Sequence, residues 1–168
     1  MLSRRALLLS AAALTATAAG GGLLTVGRWW DRGAGEGYLH LSLEEAAILR
    51  AVAGVAWPGG AVVALDGEAA DLDHFFDQMI HVMPDMTQKL LRTLLHALDD
   101  LARISAGGGL ASLARPERST LIMGWLDDEL HELRSAVTGL VVMLGMGYTT
   151  HPDCDGQMKS LYRCGYYR

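Results

Sequence analysis

Apolar residues recur along this chain at intervals of three and four, and the recurrence breaks where proline and glycine cluster. That pattern predicts helices. The first begins at Ser42, where Ser42-Leu43-Glu44-Glu45 forms a capping box. The serine side chain caps the first turn and Glu45 reaches back to it. Ile48, Leu49, Val52 and Val55 follow at helical spacing. Trp57-Pro58-Gly59-Gly60 ends the run, because proline keeps the residue before it out of the α conformation. Ala61 to Leu65 reads as a short extended piece and Asp66 to Ala70 as loop. Asp71 is placed to cap a second helix, whose apolar face is Leu72, Phe75, Phe76, Met79, Ile80 and Met83. Pro84 closes it.

Pro84-Asp85 opens a third helix carrying Leu90, Leu91, Leu94, Leu95, Leu98, Leu101 and Ile104, and Gly107-Gly108-Gly109 stops it. Arg115-Pro116-Glu117 then has proline in a first turn with an acid beside it, a good helix start. Ile122, Leu126, Leu130, Leu133, Val137, Leu140, Val141 and Leu144 continue the period. They form one long helix or two joined near Asp127-Asp128, ending at Gly145-Met146-Gly147. From Tyr148 to Arg168 the pattern is irregular, with turn signals at His151-Pro152-Asp153 and Asp155-Gly156. The expected fold is all-α: a bundle of four to five helices over residues 41–147, with a structured, irregular C-terminal tail over 148–168.

Ahead of the bundle, Ser3-Arg4-Arg5 precedes a weakly apolar run, Ala6 to Val26, with no acid before Asp31. This is the layout of an export leader over residues 1–26. Arg4 and Arg5, with a run rich in Gly, Ala and Thr, favour the twin-arginine route, which carries folded proteins. A Sec-type signal is the alternative. The run is also near the length that spans a bilayer, so retention as an N-terminal anchor is a third reading. No Cys follows it, against a lipoprotein anchor. Residues 27–40 read as a linker. Within it, Trp29-Trp30 suits either a membrane interface or the domain surface.

Composition narrows the classes. The chain is 51% hydrophobic with 7% aromatic residues, neither disordered nor fibrous. It carries a formal charge of −5, and Arg4 and Arg5 supply two of its 14 basic residues, so the remainder is more acidic still. No nucleic-acid partner is expected, since one would demand a basic face. Cys154 and Cys164 are the only cysteines. In an oxidising compartment they close a short disulfide loop; otherwise they are two free thiols.

A di-metal bundle site is the sharpest enzymatic candidate. Glu45, Asp71-x-x-His74, Asp100 and Asp128-x-x-His131 fall in suitable order. At about 100° per residue, however, His74 sits roughly 160–200° from the apolar stripe of its helix, and Asp128 and His131 about 140–160° from theirs. Ligands must project inward, so a free-standing di-metal enzyme remains the lesser reading. His74, Asp77 and His81 share one helix face and read as a solvated polar face, with a surface metal site as the alternative. Asp127, Asp128, Glu129 and Glu132 form an acidic cluster that also reads as solvated. No nucleophile motif, zinc-protease motif or phosphate-binding loop is present. No catalytic, cofactor-binding or metal-binding residue is therefore assigned. In the tail, Tyr162, Tyr166 and Tyr167 lie among basic residues; they suit a partner interface, or a tail folded on its own domain.

These features together resemble a family. A twin-arginine leader comes first, then Leu41-x-x-Glu44-x-x-x-Ile48 running into Trp57-Pro58, then central helices. The end has Gly147-Tyr148-Thr149-Thr150-His151-Pro152 and a closing Gly165-Tyr166. The order is similar to that of the gluconate 2-dehydrogenase subunit 3 family, the small subunits of membrane-bound flavin sugar and sugar-acid dehydrogenases. The likeness runs loosely from Leu41 to Tyr167. Gly59-Gly60 and the two cysteines depart from the family pattern. The resemblance implies a subunit without its own cofactor that binds a GMC-type flavoprotein holding FAD and is exported with it through the twin-arginine translocase. A cytochrome c subunit with haem is a further implied partner. The implied location is the periplasm or the outer face of the cytoplasmic membrane. Tyr148, His151, Pro152, Gly165 and Tyr166 match the family's tail and are expected to face or support the partner interface. A membrane-anchored helical module unrelated to redox chemistry is the remaining alternative.

Overall fold

The structure is a computed structural model, and it describes residues 29–30, 32–60 and 63–155. The chain divides into two units, Met1–Gly33 and Ala34–Arg168. In the first, Trp29 and Trp30 are helical and half-buried; Arg4 and Arg5 lie outside the described residues. The second holds helices α1 Leu43–Ala56, α2 Leu72–His81, α3 Asp85–Ala106, α4 Arg115–Leu126 and α5 His131–Thr150, with one 3-10 turn, Gly67–Ala69. The protein is all-α, as its periodicity predicts.

Helix α1 is the hub, and it touches the 3-10 turn and all four other helices. It is buried nearly all round, which its composition allows. Ile48, Leu49 and Val52 fill space, while Ala46, Ala51, Ala53 and Gly54 let neighbours approach closely. Its capping box forms as expected: Glu45 N–H donates to Ser42 Oγ at 3.3 Å and Ser42 N–H to Glu45 Oε2 at 2.7 Å. Helix α3 packs on α1 and α2, and α5 on α2 and α4. Phe76, Ile80, Leu95, Leu98, Ile122, Leu140 and Leu144 close the core.

Several local expectations change. Between Trp57 and Gly67 the chain turns back on itself, with Pro58 and Asp66 in an antiparallel bridge and Gly67 N–H donating to Trp57 O at 2.7 Å. Val63 to Leu65 forms no strand, and Ala61 and Val62 lie outside the described residues. Asp71 stands at the N-terminus of α2 but makes no side-chain cap; it sits in the left-handed region at φ 47°, not in the extended conformation typical of a capping residue. Gly107 ends α3 at φ 78°, the left-handed conformation that glycine adopts without strain. The long fourth pattern is two helices, parted at Asp127–Leu130.

Leu90 and Ile104, expected inside, are exposed. At about 1.5 Å per residue, α3 outruns α1 by roughly 12 Å, so its ends have less to pack against. Leu130 is exposed because it lies in the break before α5.

The largest correction concerns Gly145-Met146-Gly147, which does not end α5. The helix runs on to Thr150, and the two glycines admit aromatic rings. A Cβ on Gly145 would meet the Trp57 ring at 3.2 Å, and one on Gly147 would meet Phe75 Cδ1 at 2.5 Å. The helical domain thus includes Tyr148, which the tail was expected to hold.

Candidate docking surface

The polar residues inside this bundle tie chain segments to helices. Glu45 is fully buried. Its Oε1 accepts from Arg92 Nε at 2.8 Å and pairs with His96 Nε2 at 3.2 Å, joining α1 to α3. Burial alone would raise its carboxyl; bonds from His96, Arg92 and the Ser42 N–H, with the Arg92 charge, outweigh that and hold it at about 2. The candidate di-metal ligand on α1 is thus already neutralised by an arginine. His74, Asp71 and His131 are exposed, and among the described residues no group of three or more His, Cys, Asp or Glu is placed to hold a metal ion.

The face carrying His74, Asp77 and His81 is not simply solvated. Asp77 is 2% exposed. Its Oδ2 accepts from Leu39 N–H at 2.6 Å, and its Oδ1 from His40 and Leu41 N–H, each at 2.9 Å. Asp73, one turn earlier, accepts from Tyr38 Oη and from Arg50 Nε. Tyr38 also stacks on His74, with centroids 4.5 Å apart. The stretch read as a linker is therefore clamped to α2 from Tyr38 to Leu41. Leu41, an apolar residue just before a capping box, was the one local signal of a fixed entry to α1.

Asp66 and Glu68 anchor the 3-10 turn to α4. Arg115 donates to Asp66 Oδ2 at 2.6 Å and to Glu68 Oε2 at 2.8 Å, and the Asp66 carboxyl is held low chiefly by that arginine. On α3, Asp99 accepts from Leu110 N–H, in the turn beyond the helix, at 2.7 Å and from Arg103. In each case a buried or half-buried carboxylate satisfies backbone or arginine donors, a structural use.

The expected interface residues divide. Tyr148 is inside: it stacks on Trp57 with centroids 4.9 Å apart, and its hydroxyl donates to Leu65 O at 2.8 Å. It supports the fold and presents no free ring. His151 ends α5 half-buried, with its Nδ1 accepting from Asp153 N–H at 3.2 Å, and Pro152 is exposed. Cys154 is a free, fully buried thiol, pushed up by burial and then by the Asp155 charge. Gly165, Tyr166 and Cys164, and with Cys164 the proposed bridge, lie outside the described residues.

What remains outward is the far side of α5. From Ser135 to Thr150 the helix has no charged residue. Ser135, Thr138, Gly139, Val142, Met146 and Thr149 share its exposed face, with Val142 at 59% and Met146 at 56%. A helix face that meets only water usually carries charge. Periodicity finds the inner side of this helix but does not flag the outer one. Among the described residues no helix is long and apolar enough to cross a membrane. No protein-family model, curated protein or solved structure matches the chain.

Proposed function

We propose that this chain is a non-catalytic helical subunit that binds a larger enzyme and shares its leader with it during export. In its finer form, the partner is a GMC-type flavoprotein that holds FAD and oxidises a sugar, a sugar acid or another alcohol. A cytochrome c subunit bearing haem takes the electrons, and the pair works in the periplasm or at the outer face of the cytoplasmic membrane. The observation that carries the binding role is the uncharged outer face of α5, which presents Val142 and Met146 on a helix braced from behind by Trp57 and Phe75. Apolar side chains on a rigid, charge-free face suit a desolvated contact. The flavoprotein and the export route rest on the resemblance of the leader, the Trp57-Pro58 turn and the tail.

The test is affinity purification of the tagged full chain from its native host, read by FAD absorbance. The wild type is expected to bring down a flavoprotein. A V142D/M146E double variant is expected to lose it, since each change puts a charge into a face that must shed water. Replacing Arg4 and Arg5 by lysine is expected to keep both chains in the cytoplasm. Purification of a folded chain with no flavoprotein refutes the partner, and full retention in the double variant refutes the face.

A further inference from the structure

Helix α3 is amphipathic, yet it does not bury its most apolar stripe. Thr87, Leu90, Leu94, Ala97, Leu101 and Ile104 fall at alternating intervals of three and four along its 22 residues. That is the a/d spacing of a seam that packs against another helix. The bundle takes a different side of α3. Its buried residues are Arg92, Leu95, His96, Leu98, Asp99 and Ala102. At about 100° per residue, their centre lies roughly 150° from the seam. Polar junctions hold the helix in this rotation: Arg92 and His96 meet Glu45 on α1, and Asp99 takes the Leu110 N–H. All six seam residues are left half-buried or exposed, with Leu90 at 59% and Ile104 at 64%.

The charges beside the seam indicate what covers it. Lys89 and Asp100 lie on the same edge, each about 90–110° from the seam's centre. The other edge carries Leu91, Leu98 and Ser105 and no charge. In an antiparallel pair of helices, like edges face each other and each a position meets a d position. Leu94 then lies opposite Ala97 of a second copy, Leu90 opposite Leu101, and Thr87 opposite Ile104. The same register brings Lys89 within about two residues, roughly 3 Å along the axis, of Asp100 in the second copy. A two-fold contact is self-complementary, so this pairing occurs twice. A parallel copy would instead set both charges against the uncharged edge. Lys89 is exposed, and Asp100 is 49% exposed with Arg103 Nε at 3.9 Å in its own chain, so a second cation can approach it.

We propose that α3 is a self-association surface, on which two copies of this chain pair antiparallel through the Thr87–Ile104 seam and close one edge with two Lys89–Asp100 ion pairs. This inference stands apart from the α5 face, the flavoprotein and the export reading. Sedimentation velocity of the full chain over a range of concentrations is expected to show a monomer–dimer equilibrium. A zero-length carbodiimide reagent is expected to join Lys89 to Asp100. Within one helix these residues stand about 16 Å apart along the axis, so the link reports contact between copies alone. L90E/I104E is expected to leave the chain folded by circular dichroism, since both side chains are exposed, and to make it monomeric. K89E and D100K are each expected to weaken the dimer roughly tenfold, because two symmetry-related pairs become repulsive at once, and the K89E/D100K double variant is expected to restore it. A wild-type chain that stays monomeric at millimolar concentration overturns the proposal, as does a dimer that survives L90E/I104E. A dimer lost in V142D/M146E but kept in L90E/I104E overturns it and assigns the contact to α5. A monomeric chain whose binding to phosphatidylglycerol vesicles is lost in L90E/I104E overturns it and assigns the seam to lipid.

Discussion

Removing the Asp77 carboxylate is the sharpest test of how this fold is held. Its two oxygens take the N–H groups of Leu39, His40 and Leu41, from a segment 36 to 38 residues earlier in the chain. A hydrogen bond to a charged group contributes about 1.5–3 kcal/mol. The three are not equal. Leu39 is 56% exposed, so its N–H regains water when the carboxylate is lost, whereas Leu41 is fully buried and its N–H does not. Asp77→Ala should therefore cost about 3–4 kcal/mol, most of it at Leu41. Asp77→Asn can keep its oxygen on His40 and Leu41 but turns an amide donor toward the Leu39 N–H, and should cost about 1–2 kcal/mol. Against a typical total of 5–15 kcal/mol, the alanine change is large. Urea unfolding followed by circular dichroism at neutral pH measures both, with the midpoint falling and the slope unchanged. Hydrogen exchange should show lost protection at Leu41. An Asp77→Ala chain within about 0.5 kcal/mol of wild type, or undiminished Leu41 protection, refutes the clamp.

Three further outcomes follow from other sites. The Glu45 carboxyl, held at about 2 against an ordinary 4.5, contributes stability that is complete above pH 4.5 and lost as pH falls through 2, on the order of 3 kcal/mol. Glu45→Gln should flatten that acid limb and leave Arg92 poorly paired at neutral pH; an unchanged acid limb in urea titrations counts against the pairing. Gly147→Ala should destabilise by about 1–2 kcal/mol because its Cβ meets the Phe75 ring, whereas Gly124→Ala, with open space around it, should stabilise by up to about 1 kcal/mol. Equal effects on the melting temperature would mean that the ring does not pack there. In a Cys164→Ser chain, the buried Cys154 thiol should react with a disulfide reagent at least about 100-fold more slowly in native buffer than in urea, and equal rates would place it at the surface.

The sequence was legible where structure is decided within a few residues. Ser42 with Glu45, Pro58, Pro84 and Gly107 act on their own backbone neighbourhood, and the helices begin and end near them. It was illegible where a distant segment changes what a residue faces. Asp77, between His74 and His81, looks like part of a wet helix face until Tyr38 to Leu41 covers it. Glu45 reads as a cap, but its second oxygen turns inward to Arg92, 47 residues away. Gly145 and Gly147 look like a stop until Trp57 and Phe75 lie against them, which makes glycine a packing choice. Tyr148, read as tail, is core for the same reason.

The buried acids bear on where function can lie. Each buried acid occupies a junction: Glu45 between α1 and α3, Asp73 and Asp77 between α2 and the incoming segment, Asp99 between α3 and the turn that follows it. Removing one partner from such a junction leaves the other unsatisfied, at a cost of several kcal/mol, so these groups are poor candidates for chemistry that changes their charge. The surface is under no such constraint. Val142 and Met146 lie four residues apart on one face, in a stretch where a solvated helix has every opportunity to carry charge and carries none. Fully burying two such side chains stabilises a contact by about 1.5–3 kcal/mol each, less here because both are already partly covered. That is well short of a stable complex, which needs about 8–12 kcal/mol net. On the proposed binding role, the α5 face is then the centre of a wider interface, with neighbouring surface supplying the rest. This is why a charge placed at Val142 and Met146 is a stronger test of docking than truncation to alanine.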